Sequence, residues 1–167
     1  RHTPVVATKQ LVDGSWEVET RNGRIHSEVI VNAAGAWVDQ IAQLAEVNTI
    51  GIQPLRRSAI LVDPPAGMVV DDWPMVIDVE ENFYFKPESG YLMLSPADEV
   101  PSDPRDAQPA EIDVAIAIDR IESATTLRVS RVERKWAGLR TFTRDRTPVA
   151  GFDPDAPGFF WLVGQGG

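Results

Sequence analysis

Short apolar runs separated by turn-forming pairs fill most of this chain, a pattern that predicts many strands and few helices. Pro4-Val5-Val6-Ala7-Thr8 is a short apolar run, and Asp13-Gly14 marks the turn that follows. Ser15-Trp16-Glu17-Val18-Glu19-Thr20 alternates with the period of a half-buried strand. Asn22-Gly23 supplies the two positive-φ positions of a tight hairpin, and Ile25 to Val31 runs back toward the next element. The pattern predicts a small antiparallel ribbon. Glu28-Val29-Ile30-Val31-Asn32 reads as a buried strand, closed by Ala33-Ala34-Gly35-Ala36. Trp37, Ile41, Leu44 and Ala45 then recur at helical spacing, with Asp39 in the first turn, where the helix dipole favours an acid.

Gln53 to Asp63 is a second extended segment, broken by Pro64-Pro65. Met75-Val76-Ile77, Phe83-Tyr84-Phe85 and Tyr91-Leu92-Met93-Leu94 read as three further strands, the last two joined by a turn at Glu88-Ser89-Gly90. A loop rich in Pro and Asp covers 97–108, and Pro109 stands where the first residue of a helix is expected. Val114, Ala117, Ile118 and Ile121 form the apolar stripe of that helix, which is expected to pack across the sheet. Arg134 to Phe142 is extended, and Phe159 to Val163 is a last buried strand before Gly164-Gln165-Gly166-Gly167. Strand runs with two helices set among them predict an α+β fold: an antiparallel or mixed sheet with helices on one face.

Composition narrows the function. The net charge is −9 over 167 residues, which argues against a phosphate-backbone ligand and so against nucleic acid. Cysteine is absent and the two histidines, His2 and His26, have no metal-site spacing, so thiolate chemistry and a metal site are not expected. No apolar run approaches the roughly 18 residues of a membrane helix, and a cytoplasmic protein without a membrane span is expected. The chain opens in an apparent strand and stops inside a glycine-rich turn, which predicts part of a longer protein.

Three places carry candidate chemistry. Asn32-Ala33-Ala34-Gly35-Ala36-Trp37 puts small residues where a strand meets a helix, which lets either a nucleotide cofactor or a packing neighbour approach the backbone. Arg140 sits between Leu139 and Phe142 in an otherwise apolar strand. Its planar fork suits a carboxylate, either of a ligand or of an internal Asp or Glu. Gly164-Gln165-Gly166-Gly167 follows an apolar strand and can present amides to a phosphate or a flavin edge, although glycine turns are common.

In order and character these segments resemble the D-amino-acid oxidase and glycine oxidase superfamily of flavoproteins, which includes the sarcosine oxidases. The resemblance covers nearly the whole chain. It implies FAD as cofactor, with His2-Thr3-Pro4-Val5 as the strand whose Val5 backbone meets the adenine. Ala33, Ala34 and Gly35 would form a second cofactor-contacting turn, and Gln165, Gly166 and Gly167 the loop that passes the flavin ring. Trp136-Ala137-Gly138-Leu139-Arg140 through Pro148 and Gly151 is the most specific match, and it implies that Arg140 grips a substrate carboxylate. Phe83-Tyr84-Phe85-Lys86-Pro87 resembles the strand that offers a tyrosine, here Tyr84, to the substrate; the other reading of Tyr84 is a core aromatic.

The implied division is 1–50 as part of an FAD-binding domain, 51–143 as a substrate-binding domain, and 144–167 as a return to the first. The implied reaction is oxidation of the C–N bond of a small amino acid or secondary amine, by hydride transfer to flavin. A 2-hydroxy acid or polyol dehydrogenase on the same scaffold, and a non-catalytic binding domain, are the alternatives. The family's amino-terminal Gly-x-Gly-x-x-Gly is not among these residues, so the chain alone is expected to hold FAD weakly or not at all and to be inactive. Thr141 stands where many members have proline, and Gly167 where glycine oxidase has a second substrate arginine.

Overall fold

The computed structural model describes residues 3–166. The chain divides into two units, residues 1–54 with 140–167 and residues 55–139.

In the first unit the predicted ribbon forms from β1 (Val5–Gln10), β2 (Trp16–Thr20) and β3 (Gly23–Ser27), antiparallel in that order. The hairpin loop is Arg21-Asn22, with Thr20 opposite Gly23 and Trp16 opposite Ser27. The expected pair of positive-φ positions at Asn22-Gly23 is corrected, since Asn22 is not in the left-handed region and Gly23, at φ 136, is already the first residue of β3. Strand β4 (Ile30–Asn32) leads to a 3-10 turn (Gly35–Trp37) and helix α1 (Val38–Leu44). Near the end of the chain, β11 (Val149–Phe152) and β12 (Phe159–Val163) pair antiparallel, and β12 pairs parallel with β4. The core here joins Trp16, Val38, Ala42, Phe159, Trp161 and Val163. Phe159 and Trp161 meet edge to face at 5.0 Å, a favoured aromatic geometry.

Two further expectations for this unit are corrected. β4 is not a buried strand: Val29 and Val31 are exposed and Asn32 is the strand's buried residue. It is the edge of a three-stranded sheet, and an apolar run alone does not distinguish an edge from a centre. Of the predicted stripe Ala45 is buried and Ile41 half-buried, but Trp37 and Leu44 are exposed, and Val38 and Ala42 are the buried residues within α1. The preceding 3-10 turn advances more degrees per residue than an α-helix, which takes Trp37 off the buried face.

In the second unit a six-stranded sheet runs β10-β5-β8-β7-β6, from strands β5 (Gln53–Val62), β6 (Val76–Ile77), β7 (Tyr84–Glu88), β8 (Tyr91–Ser95) and β10 (Val132–Phe142), with β9 (Val100–Pro101) also paired to β5. Strand β10 passes from this unit into the first between Leu139 and Arg140. Helix α2 (Glu111–Ala124) covers one face, its Ala117 and Ile121 packed on Ile60, Val62, Phe85, Leu92 and Leu94. Period-two alternation turns Leu61, Tyr84 and Met93 to the opposite face.

Helix α2 begins at Glu111, not Pro109, because Ala110 is still extended and Asp113 Oδ2 accepts the Ala110 N–H at 3.1 Å. The same oxygen accepts from Arg56 Nη2 at 2.6 Å. Asp98, from the loop after β8, accepts from the Ser58 N–H and hydroxyl at 2.6 and 2.9 Å. This buried polar cluster fixes helix and loop to β5; it was signalled only by Arg56-Arg57-Ser58 within an apolar strand.

Candidate functional site

The residues expected to meet the cofactor fall in two places, both in the first unit. Val5, Ala33 and Ala34 come together in the wall of one cavity of about 480 Å³, along with Thr8, Val18, Ile25, Val31 and Asn32. Its position follows from the local fold: the ribbon supplies one wall, and the small residues after β4 keep the other shallow. Gly35, at the start of the 3-10 turn, has nothing within 4 Å of where a Cβ would stand. Asn32 is 2% exposed and its Nδ2 donates to Val38 O at 2.9 Å, tying β4 to α1. Its Oδ1, and the Oγ1 of Thr8, are buried without a partner. Both residues line the cavity, but these two oxygens have almost no exposed surface, so the wall a ligand would meet is mainly apolar, which suits a flat group.

The second place is the loop after β12. Gly166 N–H donates to Thr141 O at 3.0 Å, which lays the loop against the end of β10. Gly166 has φ +57, and a Cβ there would lie 2.5 Å from Phe142 Cε1, so only glycine fits as the loop stands. The Arg146 guanidinium covers the same ring at 4.4 Å. Gln165 is exposed, and Gly167 lies outside the described residues, as does His2. Phe142 and Arg146 were not singled out from the sequence, since their link to Gly166 spans some twenty residues of chain.

Asp145 holds the intervening turn. Its Oδ1 accepts the Thr147 N–H at 3.0 Å and lies 2.9 Å from the Thr143 hydroxyl, and these bonds hold its carboxyl below the usual carboxylate range. A depressed folded pKa contributes stability that is present above the unfolded value and lost as pH falls through the folded one. Asp145→Asn is therefore expected to be slightly less stable than the parent at pH 7. Urea titrations repeated toward pH 2 should show that difference closing; a gap that persists undiminished would assign it to shape instead of charge.

The substrate candidates are Arg140 and Tyr84. Arg140 is half-buried in β10, in the first unit, and Tyr84 is 7% exposed in β7, in the second. Neither side chain is without a partner. The second unit also has an open groove of about 800 Å³ with Leu61, Tyr91, Trp136, Glu133 and Arg134 in its walls; Tyr84 is not among its lining residues. Among the described residues no group of acids and histidines is placed to hold a metal. Among the same residues no helix is long and apolar enough to cross a membrane.

Comparison with known proteins places these features in a family context. A family model described as "DAO: FAD dependent oxidoreductase" matches residues 1–167. Mitochondrial dimethylglycine dehydrogenase of Rattus norvegicus is 28% identical over 95 residues, which is 56% of this chain and 11% of that protein. Glycine oxidase from Geobacillus kaustophilus superposes with a TM-score of 0.79 at 21% identity, over 98% of this chain and 43% of that one. L-α-glycerophosphate oxidase from Mycoplasma pneumoniae, solved with FAD bound, gives a TM-score of 0.82 at 19% identity, over 98% of this chain and 45% of that one. The chain thus spans less than half the length of these relatives, and the two structural likenesses support the α+β fold.

Proposed function

The chain belongs to the DAO family of FAD-dependent oxidoreductases, and from that premise we propose that it is part of an enzyme oxidising the C–N bond of a small amino acid or secondary amine. The observation that supports this most is the mainly apolar cavity where Val5, Ala33 and Ala34 meet. These residues fit the nucleotide half of FAD, and Gly35 belongs to the same turn. Gln165, Gly166 and Gly167 are proposed to run beside the flavin ring, with Phe142 and Arg146 holding the loop in position.

When bound, FAD supplies the two-electron acceptor for such an oxidation. The protein's own part is placement. Arg140 is proposed to hold the substrate carboxylate through its planar fork, and Tyr84 to add a hydrogen bond. Fixing a substrate in this way contributes through orientation, an effect of roughly 7 kcal/mol at the low end of its known range. Residues 1–50 and 144–167 are proposed as FAD-binding and 51–143 as substrate-binding. The compartment proposed is the cytoplasm, which imaging of the tagged whole protein tests.

The substrate class is supported by the relatives named for dimethylglycine and glycine. A second reading, a 2-hydroxy acid or polyol dehydrogenase, is favoured by the likeness to glycerophosphate oxidase. Turnover assays with amines and with hydroxy acids, on the protein purified with its flavin, separate the two. A colourless whole protein that takes up no FAD would remove both. By calorimetry, the chain of 167 residues alone is expected to bind FAD weakly or not at all; tight binding would show that it holds the cofactor unaided.

A further inference from the structure

Between Asn32, which pairs with Trp161 of β12, and Val38, which lies in the core, the chain makes a short turn. Ala33 and Ala34, in the cavity wall, belong to it. Packing does little to hold this turn, since Ala36 is its only buried residue and Trp37 is exposed. Two backbone bonds act inside it: Trp37 N–H donates to Ala34 O at 3.0 Å, and Val38 N–H donates to Gly35 O. Each closes a single 3-10 turn. Neither the 3-10 turn nor α1 has a side-chain cap at its start. The bond from Asn32 Nδ2 to Val38 O, at 2.9 Å, spans the whole segment.

That amide contributes little to the stability of the fold. Val38 O is also an acceptor in the i to i+4 ladder of α1, so it keeps a partner without Asn32. Asn32 Oδ1 is buried and has none, and an unsatisfied buried oxygen offsets what one hydrogen bond gains. A side chain that adds little to folding yet bridges the turn is explained by what the turn must hold.

We propose that Asn32 is a positioning residue for the cofactor: its amide clamps residues 33–37 in the shape that receives the nucleotide, raising affinity for FAD without raising the stability of the fold. This role rests on the flavin reading.

Asn32→Leu keeps the approximate volume and removes both the donor and the orphaned oxygen. In the whole protein stripped of flavin, its melting temperature should not fall, while FAD binding should weaken about tenfold, the worth of one typical hydrogen bond. Asn32→Asp is the reversible counterpart. The elements packed on β4 are β12, which has no charged residue, and α1, whose Asp39 accepts from the amides of Ile50 and Ile52. None of the described residues lining the cavity is charged. A carboxylate introduced there is desolvated with no cation beside it, so it titrates above the usual carboxylate range. Ionised, it repels Val38 O; protonated, its O–H donates as the amide does. Flavin bound per protein, relative to the parent, should therefore recover in Asn32→Asp as pH falls from about 8 toward 5. Asn32→Leu should show no such recovery. By hydrogen exchange at the higher pH, the amides of Trp37 and Val38 should open faster in Asn32→Asp than in the parent.

Parental FAD affinity in Asn32→Leu, a loss in Asn32→Asp that acid does not reverse, or unchanged exchange at Trp37 and Val38 would each overturn the role of Asn32 and leave the flavin reading standing. So would an Asn32→Leu protein that fails to fold or melts early, since the residue would then serve the fold. A parent that takes up no FAD removes the flavin reading itself, and this role with it.

Discussion

Replacing Arg140 by alanine in the flavin-loaded protein is expected to lower kcat/KM at least about 30-fold, chiefly through KM, with flavin content unchanged. The magnitude follows from removing one partner of a desolvated charged hydrogen bond, which costs about 2–5 kcal/mol, and each 1.36 kcal/mol is about tenfold. The residue lies in a strand whose neighbours Leu139 and Phe142 are apolar and half-buried. Arg140→Lys keeps the charge but loses the planar fork, so it should recover only part of the loss. Steady-state kinetics with the flavin absorbance recorded on the same samples decides the matter. If Arg140→Ala sheds flavin or melts early while its residual activity keeps the parental KM, the arginine holds the fold and does not touch the substrate.

What the sequence made legible here was local. The alternation of Ser15 to Thr20 made the ribbon readable, but its turn is Arg21-Asn22, one residue earlier than Asn22-Gly23 implied, so the register was not. The stripe of helix α2 was equally plain, and Ala117 and Ile121 are its buried apolar residues. Its start was displaced because Asp113 caps Ala110 from inside the helix, a hydrogen bond that competes with proline's preference for the first turn. Two short strands, β9 and β11, carry too few residues for their alternation to stand out. The candidate site was half legible for the same reason. Small residues after a strand announced the turn at Ala33 and Ala34, and a family resemblance linked it to Val5. The contact between Gly166 and Phe142 exists only after β10 and β12 have been placed, and no local pattern encodes it.

That distinction between local and assembled constraint gives the second large prediction, at Gly158. This glycine has φ +79, and a Cβ there would lie 2.6 Å from Glu28 O and 2.9 Å from Trp16 Nε1. Neither neighbour can retreat cheaply. Glu28 O is backbone just before β4, and Ile30 N–H donates to Gly158 O at 2.8 Å, locking the same crossing. Trp16 is 1% exposed in the core, and its Nε1 donates to Pro157 O at 3.0 Å. Gly158→Ala therefore combines a left-handed non-glycine residue, about 1–3 kcal/mol, with overpacking of similar size. A loss of roughly 3 kcal/mol is expected, measured as a lower urea midpoint with the slope unchanged. The cavity should register it too, because Ile30 carries β4 toward Ala33 and Ala34. Reduced flavin occupancy should accompany the lost stability in the whole protein. Unaltered stability would mean that the β4–β12 crossing yields easily, and that the small residues beyond it are not held in place by this contact.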